Sequence, residues 1–243
     1  MDGIIITARL KSTRLLKKVI IKVEDKTILN YLIDRIKNQS DIPIYLCTSQ
    51  ETEDDPLINL SNESKINYFR GDAEDVLNRY YECMNFFNLD NVYIVYADEP
   101  FIDVDLLKLS FDQLKNSKKP SWIRNDDYVD GVFGYGFNYS ALKMVNNLKT
   151  SDNNEVWGEM VSKMPLKIIK NFCPYKIKKD KVRLTIDYKD DLDVFEKIIL
   201  EIRDNYKSMN IEEIINVYNK LRLYQINLHR ANDYNLRIKS QSI

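Results

Sequence analysis

Along the first hundred residues, short apolar runs alternate with stripes of helical period. Residues 3–8 (GIIITA) form a compact, β-branched apolar run, as expected of a strand buried on both faces. A polar, basic stretch follows. A helix then begins near Thr27, with Ile28, Leu29, Leu32, Ile33 and Ile36 along one side. Residues 42–48 read as a second strand. Asp55-Pro56 opens a short helix, proline being tolerated in the first turn, and residues 66–69 read as a third strand. Over residues 73–87, Val76, Leu77, Tyr80, Met84 and Phe87 recur at helical spacing. Residues 91–97 (NVYIVYA) predict a further strand, running into Asp98-Glu99-Pro100. This alternation implies βαβ units and a largely parallel sheet covered on both faces.

The second half is less regular. The pattern predicts a helix over 103–116, a strand over 120–124 and a strand or hairpin over 129–138. Helical stretches follow near 139–148 and 154–162, then strands over 166–172 and 182–186. Asp187 starts a helix striped by Leu192, Phe195, Ile198 and Ile199, and a last helix near 211–221 precedes a polar tail. No Gly-, Ser- or Pro-rich linker divides the chain. One domain over 1–243 is expected, with a core to about 205 and a helical tail over about 206–243.

Composition narrows the chemistry. Hydrophobic residues at 44% and charged residues at 30% are ordinary for a globular chain and argue against wholesale disorder. The formal charge of −1 lacks the basic excess of a nucleic-acid coat. A single histidine, His229, excludes histidine-rich metal sites and leaves little room for Ser-His-Asp catalysis. Cys47, Cys83 and Cys173 are odd in number and form no CxxC pair, which speaks for a reducing cytoplasm rather than a zinc or disulfide framework. The first residues carry no signal-peptide pattern, and no apolar run approaches the ~18 residues of a membrane span. A soluble cytoplasmic protein without nucleic-acid or membrane partners is expected. Glycine is scarce, six in 243, so a loop that cradles phosphate must rely on other donors.

Ligands of open parallel sheets bind beyond the C-terminal ends of the strands. Three such places carry charge. After the first strand comes RLKSTRLLKK (residues 9–18), whose arginines, lysines and hydroxyls would suit a triphosphate but would equally suit a solvated loop. At the end of the 91–97 strand stands Asp98, a position suited to Mg²⁺ or simply to ending the strand. Arg183-Leu-Thr-Ile-Asp187 ends in another acid directly before a helix, where it could hold a metal or act as an N-cap. Asp103-Val-Asp105 has the DxD form of many sugar-nucleotide glycosyltransferases, although aspartate is also favoured at a helix start. One basic loop and two strand-end carboxylates make up the set that nucleotidyl transfer needs, since the attacking oxygen, the α-phosphate and the departing pyrophosphate are all negative.

These segments resemble a known family. Residues 8–20 (ARLKSTRLLKKVI) are similar to the opening motif of cytidylyltransferases of the spore-coat polysaccharide type, relatives of CMP-KDO synthetase and acylneuraminate cytidylyltransferases. Residues 69–81 (FRGDAEDVLNRYY), 98–103 (DEPFID) and 183–192 (RLTIDYKDDL) resemble the second, third and fourth motifs, in order, and residues 226–235 resemble the C-terminal segment. The resemblance implies a three-layer α/β/α Rossmann-like nucleotidyltransferase fold, GT-A-like, with a mostly parallel mixed sheet. It also implies use of CTP and Mg²⁺, transfer of CMP to a small anionic sugar-derived acceptor, release of pyrophosphate, and a place in surface polysaccharide synthesis. Carried over by position, Ala8, Arg9, Ser12, Thr13, Arg14 and Lys18 would bind the triphosphate, with Arg9, Arg14 and Lys18 catalytic. Gly71 and Asp75 would lie near base or ribose, and Asp98 and Asp187 would hold the metal, Asp98 beside the nucleotide. Asp130 and Gly131 would border the acceptor. Relatives of this type are often dimers, which makes a homodimer an expectation to test.

The chain departs from the family pattern at Lys11, where glycine is usual, at Leu16-Lys17, where Pro-Gly is usual, and at Ala97, where glycine precedes the metal aspartate. Two other readings stay open: a glycosyltransferase using Asp103 and Asp105, and a nucleotide-binding paralogue without turnover. The glycines of residues 131–136 (GVFGYG) lack the GxGxxG spacing and read as a turn or a wall of the acceptor pocket.

Overall fold

The first strand, β1 (Asp2–Thr7), alternates its side chains between two covered faces, which is why its sequence is apolar throughout. It leads through the basic loop to a small antiparallel pair, β2 (Lys22–Val23) and β3 (Lys26–Thr27), and then to α1 (Ile28–Gln39), whose first turn is capped by the Thr27 hydroxyl. The chain continues through β4 (Ile44–Ser49), α2 (Asp55–Glu63), β5 (Asn67–Gly71), α3 (Val76–Phe87) and β6 (Asn91–Tyr96). The second half comprises α4 (Val104–Lys115), β7 (Ser121–Arg124), β8 (Tyr135–Asn138), α5 (Tyr139–Leu148), α6 (Gly158–Ser162), β9 (Lys167–Lys170), α7 (Lys189–Ile202), α8 (Ile211–Lys220) and α9 (Tyr224–Asn227). This computed structural model describes residues 1–12, 14–125, 128–154, 157–171, 179–231 and 233. Thr13, Cys173 and much of the polar tail lie outside them.

Seven strands form one sheet in the order β5-β4-β1-β6-β8-β7-β9. All neighbours are parallel except β8, which runs antiparallel to both β6 and β7, so the sheet is mixed and mostly parallel. Ile4 and Ile6 of β1 pack with α1 and α4, through Leu29, Leu32, Leu107 and Phe111. Ile5 points the other way, into Leu77, Tyr80 and Met84 of α3 and Leu142 and Val145 of α5. The layering is therefore α/β/α. A third apolar cluster joins Tyr31 of α1 and Phe101 to the inner faces of α7 and α8.

One expected strand takes a different form. Residues 182–186 are extended but, among the described residues, their sheet pairing is an isolated bridge between Asp130 and Arg183. Their period-two pattern arises because Val182, Leu184 and Ile186 bury themselves against α7 and α8, not because they extend a ladder. Similarly, the expected 129–138 strand is regular only as β8. Cys47 and Cys83 are buried free thiols. Among the described residues, no helix is long and apolar enough to cross a membrane.

Candidate active site

After β1 the chain passes to β4 and β5 on one side, then crosses to β6 on the other, so the sheet's switch point lies between β1 and β6. The basic loop leaves from this point. Ala8 is buried and its N–H donates to the Cys47 carbonyl at 3.2 Å. Leu10 is buried, and its N–H donates to Oδ1 of the buried Asp54 at 2.7 Å. Ser49 holds the other oxygen of Asp54. The root of the loop is thus fixed by a carboxylate that no sequence motif singles out, since Asp54 precedes α2 and reads as an ordinary helix start.

Arg9 reaches across to the second motif, donating to the Ala73 carbonyl and lying 3.7 Å from Glu74. The buried Arg79 binds the same segment from below, donating to the carbonyls of Asp72 at 2.6 Å and Ala73 at 3.3 Å. Gly71 ends β5 beside Arg79, and an added Cβ would sit 2.9 Å from the Arg79 side chain. Asp75 is taken up structurally: its Oδ1 caps α3 through Asn78 N–H and accepts from Asn154 at 2.7 Å, while Lys149 pairs with Oδ2. Ser12 lies half-buried on the loop, and Lys11 is exposed.

Lys17 then adopts the left-handed conformation at φ 51°, and a 3₁₀ turn over Lys18–Ile20 begins. This turn sends the Lys18 ammonium inward, where it contacts both Asp98 Oδ2 and, at 2.8 Å, Asp187 Oδ1. Arg14 also donates to Asp187 Oδ1. Burial works against both charges, yet each is stabilised by the other. The two carboxylates raise the Lys18 pKa, and Lys18 and Arg14 hold Asp187 down at about 2. Glu99 differs: burial, then Asp98 and Asp130, push its pKa well above the carboxylate range, and its Oε2 has no hydrogen-bond partner among the described residues.

The two aspartates arrive by different routes. Asp98 follows β6, whose register continues through Ala97 N–H to the Thr7 carbonyl at 3.1 Å. The extended 182–187 segment is stitched to it, Ile186 N–H donating to the Asp98 carbonyl at 2.9 Å. Leu184 N–H donates to the Asp130 carbonyl at 2.9 Å, bringing the acceptor candidates alongside. Gly131 permits this approach. At φ 94°, a Cβ there would lie 2.2 Å from Thr185 N. Arg183 and Asp191, quoted within the fourth motif but given no role by sequence, flank Asp187: Arg183 Nη2 donates to Asp187 Oδ2 at 3.1 Å, and Asp191 accepts from Asp187 N–H at 3.0 Å. Tyr188, next along, lies under the guanidinium groups of Arg14 and Arg230, 5.6 and 4.8 Å from the ring centroid.

Asp103 caps α4, accepting from the N–H groups of Asp105 and Leu106 at 3.0 Å each. The DxD pair is thereby a helix start, as its N-cap reading expects. His229 lies against Asp190 at 3.3 Å and does not reach the cluster.

The donor set fits a hard divalent cation. Two carboxylates from separate segments already converge on one positive atom, Lys18 Nζ. Among the described residues no cluster of three or more His, Cys, Asp or Glu could hold a metal. Substrate oxygens or water would have to complete the shell, the usual arrangement for Mg²⁺ on phosphates.

Comparison with known proteins supplies a family. The cytidylyltransferase family model matches residues 3–232. An uncharacterized protein of Methanocaldococcus jannaschii is 28% identical over 212 residues, covering 86% of this chain and 85% of its own. The structure of a cytidylyltransferase from Leptospira borgpetersenii superposes with a TM-score of 0.84 at 25% identity, covering 93% of this chain and 97% of that one. A CMP:2-keto-3-deoxy-manno-octonic acid synthetase complexed with CTP shares the fold at a TM-score of 0.59 and 13% identity, with 82% and 98% covered.

Proposed function

The chain belongs to the cytidylyltransferase family, and from that premise we propose that it transfers CMP from CTP to a small anionic, sugar-derived acceptor, releasing pyrophosphate. One observation carries this reading: the basic loop, the carboxylate at the end of β6 and the Asp187 carboxylate meet at one point, Lys18 Nζ, at the switch point of the sheet. The order of the four motifs supports assignment to the spore-coat polysaccharide type and, with it, a role in surface polysaccharide synthesis.

In this reading Asp98 and Asp187 would hold Mg²⁺, whose chemistry there would be to offset triphosphate charge and polarise the α-phosphoryl group. Arg9, Arg14 and Lys18 bind the phosphate oxygens, with hydroxyls of Ser12 and Thr13 filling the remaining acceptors. An acceptor oxygen forms its bond to the α-phosphorus as the bond to pyrophosphate breaks. Lys18 and Arg14 offset the charge that gathers on the departing group. The main chain near Gly71 borders base and ribose, with Asp75 fixing that turn, and Asp130 and Gly131 border the acceptor. Side-chain cations do here what glycine-loop N–H groups do elsewhere in such loops.

Pyrophosphate release is measured with CTP, Mg²⁺ and a panel of sugar acids and sugar phosphates. Turnover with at least one acceptor is expected. No release with any acceptor, together with no thermal shift by CTP, would sink the proposal. A CTP shift without turnover would identify a binding paralogue. Stabilisation by UDP- or GDP-sugars in place of CTP would point to glycosyl transfer.

A further inference from the structure

A primary amide with no solvent contact needs partners at both ends. Asn227, the last residue of α9, has none of its surface exposed and finds all of them. Its Nδ2 donates to Asp191 Oδ1 at 2.9 Å and to the Arg183 carbonyl at 3.0 Å. Its Oδ1 accepts from the Tyr218 hydroxyl at 2.9 Å. Two acceptors at one end and a hydroxyl at the other allow a single orientation of the amide.

The bonds continue inward. Asp191 accepts from Arg183 Nε at 2.9 Å and Nη2 at 3.1 Å, and from the N–H groups of Asp187 and Tyr188 at 3.0 Å each. Arg183 Nη2 also donates to Asp187 Oδ2 at 3.1 Å. The main chain of Asp187 and one of its carboxylate oxygens are thus both held from behind. Oδ1 is the oxygen that faces the cleft, Lys18 and Arg14. We infer that Asn227 is a positioning residue for Asp187, acting through the Asp191–Arg183 pair to present Oδ1 to a divalent metal.

The physical reason is the cost of a buried ion pair. Arg183 and Asp191 are almost wholly enclosed, and such a pair repays its desolvation only when its geometry is good and its other bonds are satisfied. Asn227 supplies one bond to the Asp191 carboxylate, from 36 residues beyond it, and a second to the Arg183 carbonyl, so the C-terminal helices bear on the aim of Asp187 through its neighbours. Apolar packing would stabilise α9 as well or better, but it would not fix the pair.

The inference rests on the reading that Asp98 and Asp187 hold the metal, and the test separates the two. Free Mn²⁺ is counted by electron paramagnetic resonance while the full chain is titrated, and CTP affinity is measured separately without divalent metal. Asn227→Leu should weaken Mn²⁺ binding about tenfold and leave metal-free CTP affinity unchanged. Tyr218→Phe, which keeps the packing and frees only Oδ1, should weaken Mn²⁺ about threefold. A folded Asn227→Leu with unaltered Mn²⁺ affinity overturns the inference, as does an equal loss of metal-free CTP affinity. If Asn227→Leu does not fold, Tyr218→Phe decides, and unchanged Mn²⁺ affinity there overturns it. If Asp98→Asn binds Mn²⁺ as well as the unaltered chain, the metal reading itself fails and the inference falls with it.

Discussion

Asp98 and Asp187 meet at one ammonium group, yet they are held in opposite ways. Asp98 is delivered by the end of a parallel strand, and its side chain, 21% exposed, pairs with Lys18. Asp187 sits in a segment with a single sheet bridge, and its side chain, 5% exposed, is gripped by Lys18, Arg14 and Arg183. A strand end needs little further support, because its register with the neighbouring strands already fixes the next residue. An extended segment outside the ladder has no such register. Beyond its main-chain bonds to Asp98 and Asp130 it is positioned by side-chain hydrogen bonds, which makes its aim depend on distant residues.

The largest expected effect tests whether both carboxylates serve one metal. Asp98→Ala and Asp187→Ala should each lower CTP-dependent pyrophosphate release about a thousandfold, ~4 kcal/mol of barrier. They should differ in melting: Asp98→Ala stays near the unaltered chain, whereas Asp187→Ala, which removes the carboxylate shared by Lys18, Arg14 and Arg183, loses about 3 kcal/mol. Equal melting would break the contrast drawn above. Near-full activity in either variant would remove it from the metal site.

Acid sharpens the same contrast. Asp187 falls from an ordinary 3.8 to about 2 in the folded chain, so the unfolded chain takes up its proton first as pH drops. The stabilisation, about 2 kcal/mol, is complete above pH ~4 and is lost as pH falls toward 2. Asp187→Asn should flatten this part of the stability–pH curve measured by urea unfolding.

Lys18 lies between the two regions and should give effects of opposite sign. Lys18→Gln is expected to weaken CTP binding about tenfold by calorimetry, because the proposed phosphate ligand is lost. It should tighten Mn²⁺ binding in the absence of nucleotide, because the competing ammonium is gone. A loss on both counts would mean that Lys18 only props the cleft open. The smallest effect concerns the loop: Lys17→Gly relieves a left-handed lysine and should raise stability by about 0.5–1 kcal/mol in a thermal melt, with activity retained.

The strands β1, β4 and β6 and the helices α1 and α3 were legible because each buries a face whose period is printed in the sequence, whereas the two-residue strands β2 and β3 carry no such period. Arg9, Arg14, Lys18, Asp98 and Asp187 were legible as chemistry at strand ends and as parts of ordered motifs. Asp54 and Asn227 were not. One looks like a helix start and the other like part of a polar tail, and their roles lie in Leu10 N–H and in the Asp191–Arg183 pair. Residues 182–186 had a strand's pattern without a strand's partner, since burial against α7 and α8 leaves the same period as pairing does.

Local periodicity and residue type therefore determined the layered α/β class, the parallel half of the sheet and the charges available at its C-terminal edge. Tertiary structure alone decided that Lys18 points at both carboxylates, that Asp75 is taken up by Asn154 and Lys149, and that a buried amide near the C-terminus reaches the fourth motif. The physical reason is range. Periodicity is set by neighbours three or four residues away, whereas hydrogen bonds between buried polar groups join residues tens of positions apart.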